Sequence, residues 1–268
     1  MEAVACPRVW LIGGTRESAD LAGLLTDNGI PCTVSVTTAS AQSLYPKTAL
    51  LRVWVGRLTL AAMPEFLQSE SIGAILDASH PFAVEISLLA IATAQQFSLP
   101  YLRFERPTLA PSQSDTSAHS LDSLLNGDIL EGQRVLLTLG YRYLERFRPW
   151  QSRAMLFARI LPSPEALSAA LSAGFTPDRL IALRPPISAD LERALWQQWQ
   201  ITCVVTKASG APGGEAIKRQ VAQTLGIDLV VLERPLVEYP RQTCCLEDAL
   251  HACQQWWQTI SPGLKQIR

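Results

Sequence analysis

Short apolar runs alternate with polar or glycine-bearing turns and amphipathic segments along most of this 268-residue chain. Strands that alternate with helices at this spacing predict a parallel, doubly wound sheet. The predicted strands are residues 8–12, 31–36, 51–55, 72–76, 100–104, 134–139, 155–161, 180–183, 201–206 and 229–232. The principal predicted helices are residues 59–69, 82–97, 163–173, 188–199, 215–225 and 246–259.

The pattern runs through the chain twice. Glu-Arg-Pro closes a strand at residues 105–107 and again at 233–235, and a Pro/Ser-rich stretch at 108–118 is the best candidate for a linker. We therefore predict an α/β protein of two Rossmann-like parallel-sheet lobes with a cleft between them. The N-terminal lobe, residues 1–118, is expected to bind NADP, and residues 119–268 form a lobe for substrate and cofactor. The repetition is what an internal duplication would produce.

Composition and charge exclude several classes of protein. Lys and Arg number 23 against 24 Asp and Glu, so the basic excess typical of a nucleic-acid protein is missing. No apolar run reaches the roughly 20 residues of a membrane helix, and the N-terminus lacks a signal-peptide pattern. The six cysteines include no CxxC pair, which favours free thiols over disulfides or zinc. We expect a soluble, cytoplasmic protein without nucleic-acid or membrane partners.

The most informative stretch is residues 72–86. A buried strand ends at Asp77, Ser79 and Pro81 suit a helix start, and apolar positions at helical spacing follow. In open parallel sheets ligands bind at the carboxyl ends of strands, which is where Asp77, Ser79 and His80 fall. His80 could donate to a ligand or shuttle protons, or it could bond only its own turn.

The first strand is followed by Gly13-Gly14-Thr15 and then by a helical segment. Glycines there let a phosphate approach the backbone and the helix N-terminus, although a tight turn alone also needs glycine. NAD-binding proteins place Asp or Glu after the second strand, whereas residues 36–40 contain no acid, which favours NADP. Arg16, Lys47 and Arg57 are candidate partners for the 2′-phosphate, although each is also typical of a solvated surface.

The second lobe has a corresponding turn after its strand at 201–206. Lys207, Ser209 and Gly210 precede Gly213-Gly214 and a helix, which suits an anion, although an exposed flexible loop would look the same. Arg142 and Arg184 follow other strands of this lobe. Several cationic or glycine-rich turns in one lobe predict a polyanionic substrate.

At these turns the sequence resembles the precorrin-6A reductase family of cobalamin biosynthesis, including its cobalt-precorrin-6A branch. The resemblance spans nearly the whole chain, and its most specific mark is Asp-Ala-Ser-His-Pro-Phe-Ala at residues 77–83. The supporting motifs are Gly-Gly-Thr-Arg-Glu at 13–17, Arg-Pro at 106–107, Leu-Gly-Tyr-Arg at 139–142 and Thr-Lys-Ala-Ser-Gly at 206–210.

The resemblance implies an oxidoreductase that uses NADPH to reduce one double bond of (cobalt-)precorrin-6A to (cobalt-)precorrin-6B, without flavin or catalytic metal. Such a tetrapyrrole substrate carries many carboxylates, and other corrin-pathway enzymes would be candidate partners. Many aerobic-route members have Ala-Gly-Arg-Thr after the second strand, where this chain has Thr-Ala-Ser-Ala at 38–41. Gly56-Arg57-Leu58 after the third strand is more similar to the cobalt-dependent branch.

Residue roles follow from these turns and from the resemblance. The candidate proton donors are His80, Lys207 and Tyr141, with a bound water as the alternative. The predicted substrate contacts are Arg142, Arg184, Ser209 and Gly210. The predicted cofactor contacts are Gly13, Gly14, Thr15, Arg16, Glu17, Thr38, Asp77, Ser79 and Pro81.

Two other functions remain open at this point. A short-chain dehydrogenase acting on an alcohol or ketone needs Lys four residues after its catalytic Tyr, and none of the five tyrosines has one. A non-catalytic NADP-binding protein would have no use for the cationic turns of the second lobe.

Overall fold

The computed structural model describes residues 6–110 and 115–260. The chain forms two compact units. The first comprises the chain up to Arg106 together with the segment from Leu236 onward, and the second comprises Pro107–Pro235.

The first unit is a six-stranded sheet with helices on both faces. The strands are β1 (Arg8–Ile12), β2 (Cys32–Val36), β3 (Leu51–Val55), β4 (Ile72–Asp77), β5 (Tyr101–Phe104) and β12 (Gln242–Thr243). The helices are α1 (Arg16–Asp27), α2 (Met63–Ser69), α3 (Val84–Gln96) and α8 (Leu246–Ile260), with 3₁₀ turns at Ala39–Leu44 and Leu60–Ala62.

Strand β1 shows why this sheet is buried on both sides. All five of its residues are buried, and its side chains alternate between the two faces. Val9 and Leu11 pack in the cluster that includes residues of α1 and α8, whereas Trp10 and Ile12 pack with residues of α2 and α3. A strand covered on both faces reads in the sequence as a continuous apolar run.

The second unit contains the remaining elements. Its strands are β6 (Asp115–Ala118), β7 (Arg134–Leu137), β8 (Met155–Ile160), β9 (Leu180–Ala182), β10 (Cys203–Lys207) and β11 (Asp228–Leu232). Its helices are α4 (Leu121–Asn126), α5 (Pro164–Ser172), α6 (Ala189–Gln198) and α7 (Glu215–Leu225), with 3₁₀ turns at Tyr141–Ser152, Pro177–Arg179 and Ala211–Gly213.

Both sheets are parallel throughout and share one strand order. The first runs β12-β5-β4-β1-β2-β3 and the second β6-β11-β10-β7-β8-β9. Strand order reverses between β1 and β4 and, equivalently, between β7 and β10. The predicted α/β class with two Rossmann-like parallel-sheet lobes is confirmed, and ligands of such sheets bind at these switch points.

The unit boundary lies elsewhere than predicted. We expected a single division after residue 118, but the chain leaves the first unit after Arg106 and returns to it at Leu236. The reason is that α8 has a buried face, formed by Ala249, Ala252 and Cys253, which packs in the core shared with α1. The two-residue strand β12 also adds to the edge of β5.

The predicted linker at 108–118 is partly a strand. Residues 115–118 form β6, which pairs in parallel with β11 at the edge of the second sheet. Thr116 and Ser117 are exposed, so this edge strand lacks the apolar run that marks a central strand. Residues 111–114 lie outside the described residues.

The helix after β4 starts later than predicted. Its first residue is Val84, and Ala83 at the N-cap supplies no side-chain hydrogen bond. Ser79 therefore does not cap it, because residues 80–83 form an extra turn in which the Ala83 amide donates to the His80 carbonyl at 2.7 Å. Sequence periodicity identified the helix but not this turn.

No helix within the described residues is long and apolar enough to cross a membrane.

The packing of α8 generates a prediction about stability. Ala252 is 1% exposed, so Ala252→Glu would bury a carboxylate without a partner and should cost roughly 3–5 kcal/mol of unfolding free energy. Gln258→Glu introduces a negative charge at an exposed position of the same helix and should leave stability nearly unchanged. Thermal unfolding of both variants checks this, and equal losses would contradict the packing described.

Candidate active site

The side chains of Tyr45 and Val34 pack closely against the glycine turn after β1. A Cβ at Gly13 would overlap the Tyr45 hydroxyl and lie 2.6 Å from Val34 Cγ1. Gly14 has a φ of +99°, and its amide donates to the Tyr45 hydroxyl at 2.7 Å. Glycine is thus required at 13 for close approach and favoured at 14 for conformation. Tyr45 was not identified from the sequence, because it lies 31 residues from Gly14.

The N-terminus of α1 follows this turn directly. Thr15 caps the helix by accepting from the Ser18 amide, and Ser18 caps Thr15 in return. The Thr15 hydroxyl also donates to the Ala78 carbonyl at 2.9 Å, which joins the turn after β1 to the turn after β4. The Thr15 hydroxyl therefore has protein partners both as a donor and as an acceptor.

Arg16 and Glu17 occupy the first turn of α1. Arg16 is exposed, whereas Glu17 is ion-paired with the buried Arg106 at 2.9 Å. Among the described residues we find no hydrogen-bond acceptor for either backbone amide. Amides at a helix start, together with the helix dipole, form a ready anion-binding position.

The turn after β4 rests on a buried carboxylate. Asp77 is 0% exposed and accepts from Arg103 at 2.8 Å, from the Ser79 amide at 3.0 Å and from the Ser87 hydroxyl at 2.6 Å. Ser79 is also buried, and its hydroxyl accepts from Arg103 at 2.9 Å. Asp77 and Ser79 were predicted to contact the cofactor, but their side chains point to protein partners. Any contact they make to a ligand has to come from the backbone of the turn.

His80 and Pro81 follow at the same edge of the sheet. His80 is partly buried, and its Nδ1 accepts from the Phe82 amide at 3.2 Å, so this nitrogen holds the turn. Pro81 is buried. The structure thus shows that His80 bonds its own turn, which is one of the two roles that the sequence left open for it.

The predicted cofactor contact Thr38 and the three cations considered for a 2′-phosphate lie in different segments of the first unit. Thr38 is exposed at the end of β2, the neighbour of β1, and its hydroxyl lies 3.2 Å from that of Ser40. Arg57 is ion-paired with Glu85 at 2.6 Å on the surface. Lys47 and Arg16 are exposed, and Arg16 is the one that belongs to the helix at the switch point.

In the second unit, Lys207 ends β10 beside the switch point. Its ammonium nitrogen lies 4.2 Å from the centroid of the Tyr143 ring, a favourable cation–π position. Burial and the nearby Arg142 guanidinium lower the pKa of Lys207 to about 8. Arg142 is exposed and Tyr141 is partly buried, both at the start of the 3₁₀ turn that follows β7. Three predicted residues are therefore brought together, with Tyr143 as an addition.

The glycine-rich loop after Lys207 is organised differently from the one in the first unit. The Gly210 amide donates to the Glu215 carboxylate at 2.7 Å, and Glu215 is 1% exposed. Lys218, 3% exposed, donates to the carbonyls of Gly213 and Gly214 at 3.2 Å each. The protein's own carboxylate thus occupies a donor that we had assigned to an external anion.

The remaining predicted substrate contacts do not gather at one place. Ser209 and Gly210 are buried, so they shape the loop rather than present side chains. Arg184 is exposed after β9, the edge strand of the second sheet, three strands away from β10. The distance of Arg184 from the switch point could not be seen without the strand order.

Several of the buried residues around the first switch point gave no local signal in the sequence. Tyr45, Ser87, Arg103 and Tyr101 are separated from their partners by 10 to 31 residues. A charged residue inside an apolar strand, as Arg103 is in β5, is the one pattern that could have indicated a buried ion pair.

The two parallel sheets, each with a loop pair at its switch point, define a Rossmann-like α/β protein of the nucleotide-binding kind. A family model described as precorrin-6x reductase CbiJ/CobK matches residues 8–254, and the chain belongs to this family. It is thus an oxidoreductase of corrin biosynthesis, a tetrapyrrole-processing enzyme, and the family uses a reduced nicotinamide cofactor. The resemblance predicted from the motifs is confirmed.

Individual relatives agree with this assignment. The chain is 52% identical over 230 residues to a cobalt-precorrin-6A reductase of Synechocystis sp., covering 85% of this chain and 88% of that protein. It is 31% identical over 248 residues to one of Priestia megaterium, covering 91% and 97%. Among solved structures, a CobK precorrin-6A reductase matches with a TM-score of 0.78 and 26% identity, covering 93% and 97%.

The first unit fits the diphosphate of a nicotinamide dinucleotide. Gly13 and Gly14 leave backbone rather than side chain at the end of β1, and nothing lies within 4 Å of a Cβ built on Gly14. The amides of Arg16 and Glu17 lie at the start of α1 directly after this turn. No cluster of three His, Cys, Asp or Glu side chains suited to a metal ion occurs among residues 6–110 and 115–260.

The packing of the glycine turn predicts the effect of a methyl group. Gly13→Ala would overlap the Tyr45 hydroxyl and should cost about 1–3 kcal/mol of stability, part of which Tyr45→Phe should restore. Gly23→Ala, in open space on α1, should instead stabilise by roughly 0.4–1 kcal/mol. Denaturant unfolding of the three variants measures this, and wild-type stability in Gly13→Ala would show that the turn is not close-packed.

Proposed function

We propose that this protein uses NADPH to reduce one double bond of cobalt-precorrin-6A, giving cobalt-precorrin-6B. The observation that carries the proposal is the Gly13–Gly14 turn followed by the α1 N-terminus at a switch point, in a chain of this reductase family. Bound NADPH would supply a hydride to a ring carbon. The protein would supply position and a proton for the neighbouring carbon.

NADPH rather than NADH is proposed because of the end of β2. Residues 37–41 contain no acidic side chain to hold a ribose 2′-hydroxyl or to repel a 2′-phosphate. Exposed Arg16, at the first position of α1, is the cation we assign to that phosphate, with Lys47 and Arg57 as the alternatives.

The cobalt form of the substrate is proposed from the relatives. The proteins at 52% and 31% identity are both named for cobalt-precorrin-6A, whereas the structure at 26% is named for precorrin-6A. Gly56-Arg57-Leu58 after the third strand, which is more similar to the cobalt-dependent branch, supports the same choice.

We assign the proton to Lys207. Its ammonium group combines partial burial, a neighbouring ring and a lowered pKa of about 8, which places the group near physiological pH as an efficient general acid requires. His80 already uses Nδ1 to hold its own turn, so it ranks below Lys207. Tyr141 stays an alternative donor, with the Arg142 guanidinium 5.9 Å from the centroid of its ring. Exposed Arg142 is assigned to a substrate carboxylate.

A cytoplasmic location is proposed from the cysteines. Cys32, Cys203 and Cys253 are buried free thiols, and burial raises the pKa of each to about 12, which keeps them unreactive in a reducing compartment.

The function is tested by mixing purified protein with NADPH and cobalt-precorrin-6A and following absorbance at 340 nm. We expect substrate-dependent NADPH loss that is faster than with NADH and faster than with metal-free precorrin-6A. Absence of NADPH oxidation with both substrates would overturn the proposal, and a faster reaction with the metal-free form would overturn the choice of cobalt.

The role of Lys207 predicts the alkaline limb of the pH profile. An acid must be protonated, so kcat should fall as pH rises through about 8, by about tenfold per pH unit. Removing the positive charge of Arg142 raises the pKa of Lys207, so Arg142→Gln should shift the limb to higher pH. Lys207→Met should abolish the limb and lower kcat by roughly 10²–10⁴-fold.

Arg146→Gln is the matched control, because Arg146 is exposed on the same 3₁₀ turn and pairs with Asp122. Its profile should equal that of wild type. An alkaline limb retained in Lys207→Met would assign the proton to another group.

A further inference from the structure

Arg103 is a buried charged residue for which the proposed chemistry has no use. It lies on β5 and is 1% exposed. One of its nitrogens, Nη1, donates to Asp77 Oδ1 at 2.8 Å and to the Ser79 hydroxyl at 2.9 Å. Arg103 therefore holds the turn after β4 by hydrogen bonds from the protein interior.

The guanidinium is held on its other sides as well. Its Nε donates to Glu105 at 2.8 Å, and its Cζ lies 5.1 Å from the centroid of the Tyr239 ring. Tyr239 belongs to the C-terminal segment that returns to the first unit. The position of Arg103 is thus fixed by residues before and after the whole second unit.

Asp77 is fixed to the same degree. Its Oδ2 accepts from the Ser87 hydroxyl on α3 at 2.6 Å and from the Tyr101 hydroxyl on β5 at 3.0 Å. The adjacent Ala78 carbonyl accepts from Thr15, the N-cap of α1. Hydrogen bonds, joined by the backbone of residues 77–79, therefore connect Arg103 to the helix start that we assign to the cofactor phosphates.

The fold itself does not require this ion pair. In the second sheet, which has the same strand order, the last residue of β10 is Lys207 and its partner in register is Leu232. The equivalent pair in the first sheet is Asp77 and Arg103. Buried ion pairs are weak contributors to stability compared with apolar packing, so two apolar residues in place of both Asp77 and Arg103 would serve the sheet as well.

We propose that Arg103 is a positioning residue for the cofactor site, which holds the turn at residues 77–81 and, through Ala78 and Thr15, the start of α1. The inference rests on the proposed binding of NADPH by the first unit. Arg103 acts without touching the cofactor, because it is enclosed by protein side chains.

The test compares two buried arginines of one sheet. Arg103→Lys keeps the charge but cannot hold Asp77, Ser79 and Glu105 together, because an ammonium lacks the planar fork. Arg8→Lys is the matched control: Arg8 is also buried, on β1, and donates to Thr33 and to the carbonyls of Cys32 and Leu50. It lies at the amino end of the sheet, opposite the switch point.

Both variants should lose thermal stability. NADPH affinity, measured by fluorescence titration of the intact protein freed of nucleotide, at a temperature where both variants are folded, should weaken about tenfold in Arg103→Lys and less than twofold in Arg8→Lys. Equal affinities in the two variants would overturn the inference. If wild type itself fails to bind NADPH, the proposed function fails instead, so the two failures are distinguishable.

A second pair of variants decides the matter if Arg103→Lys cannot be purified folded. Ser87→Ala removes one hydrogen bond to Asp77 from α3, and Thr93→Ala removes a hydroxyl of the same helix that donates to the Leu89 carbonyl. We expect severalfold weaker NADPH binding in Ser87→Ala and wild-type binding in Thr93→Ala. Wild-type affinity in Ser87→Ala would overturn the inference.

Discussion

The reversal of strand order in each parallel sheet is the constraint on which the rest of the structure depends. Where neighbouring strands send their connections to opposite faces, the two loops separate and leave a crevice at the carboxyl edge. In the first unit those loops are the glycine turn after β1 and the turn after β4. Tyr45 holds the glycine turn by a hydrogen bond to Gly14, and Arg103 holds the turn after β4 by a hydrogen bond to Ser79.

The two units share one topology but differ in the residues that line their switch points. The first leaves a helix start next to exposed glycine backbone, whereas the second fills its glycine loop with Glu215 and Lys218. The second unit instead carries a lysine with a lowered pKa beside a tyrosine ring. Under the proposed function, side chains at the switch points, and not the sheets, would therefore decide which unit takes a phosphate and which supplies an acid.

The first unit is completed by the end of the chain. The buried face of α8 joins the core around α1, and Tyr239 lies over the Arg103 guanidinium. The proposed cofactor site thus depends on a segment that follows the entire second unit. This arrangement explains why no single cut in the sequence separates the two units.

The sequence by itself determined the α/β class, nearly every strand and helix, the glycine turn and the family, because these follow from local apolar periodicity, turn chemistry and short motifs. It also placed Lys207 and Arg142 at strand ends of one lobe. Only the tertiary structure decided that Asp77 and Ser79 face inward, that Tyr143 lies against Lys207 and that residues 236–260 belong to the first unit. The physical reason is that a buried polar group must find a partner, and its partner can come from anywhere in the chain.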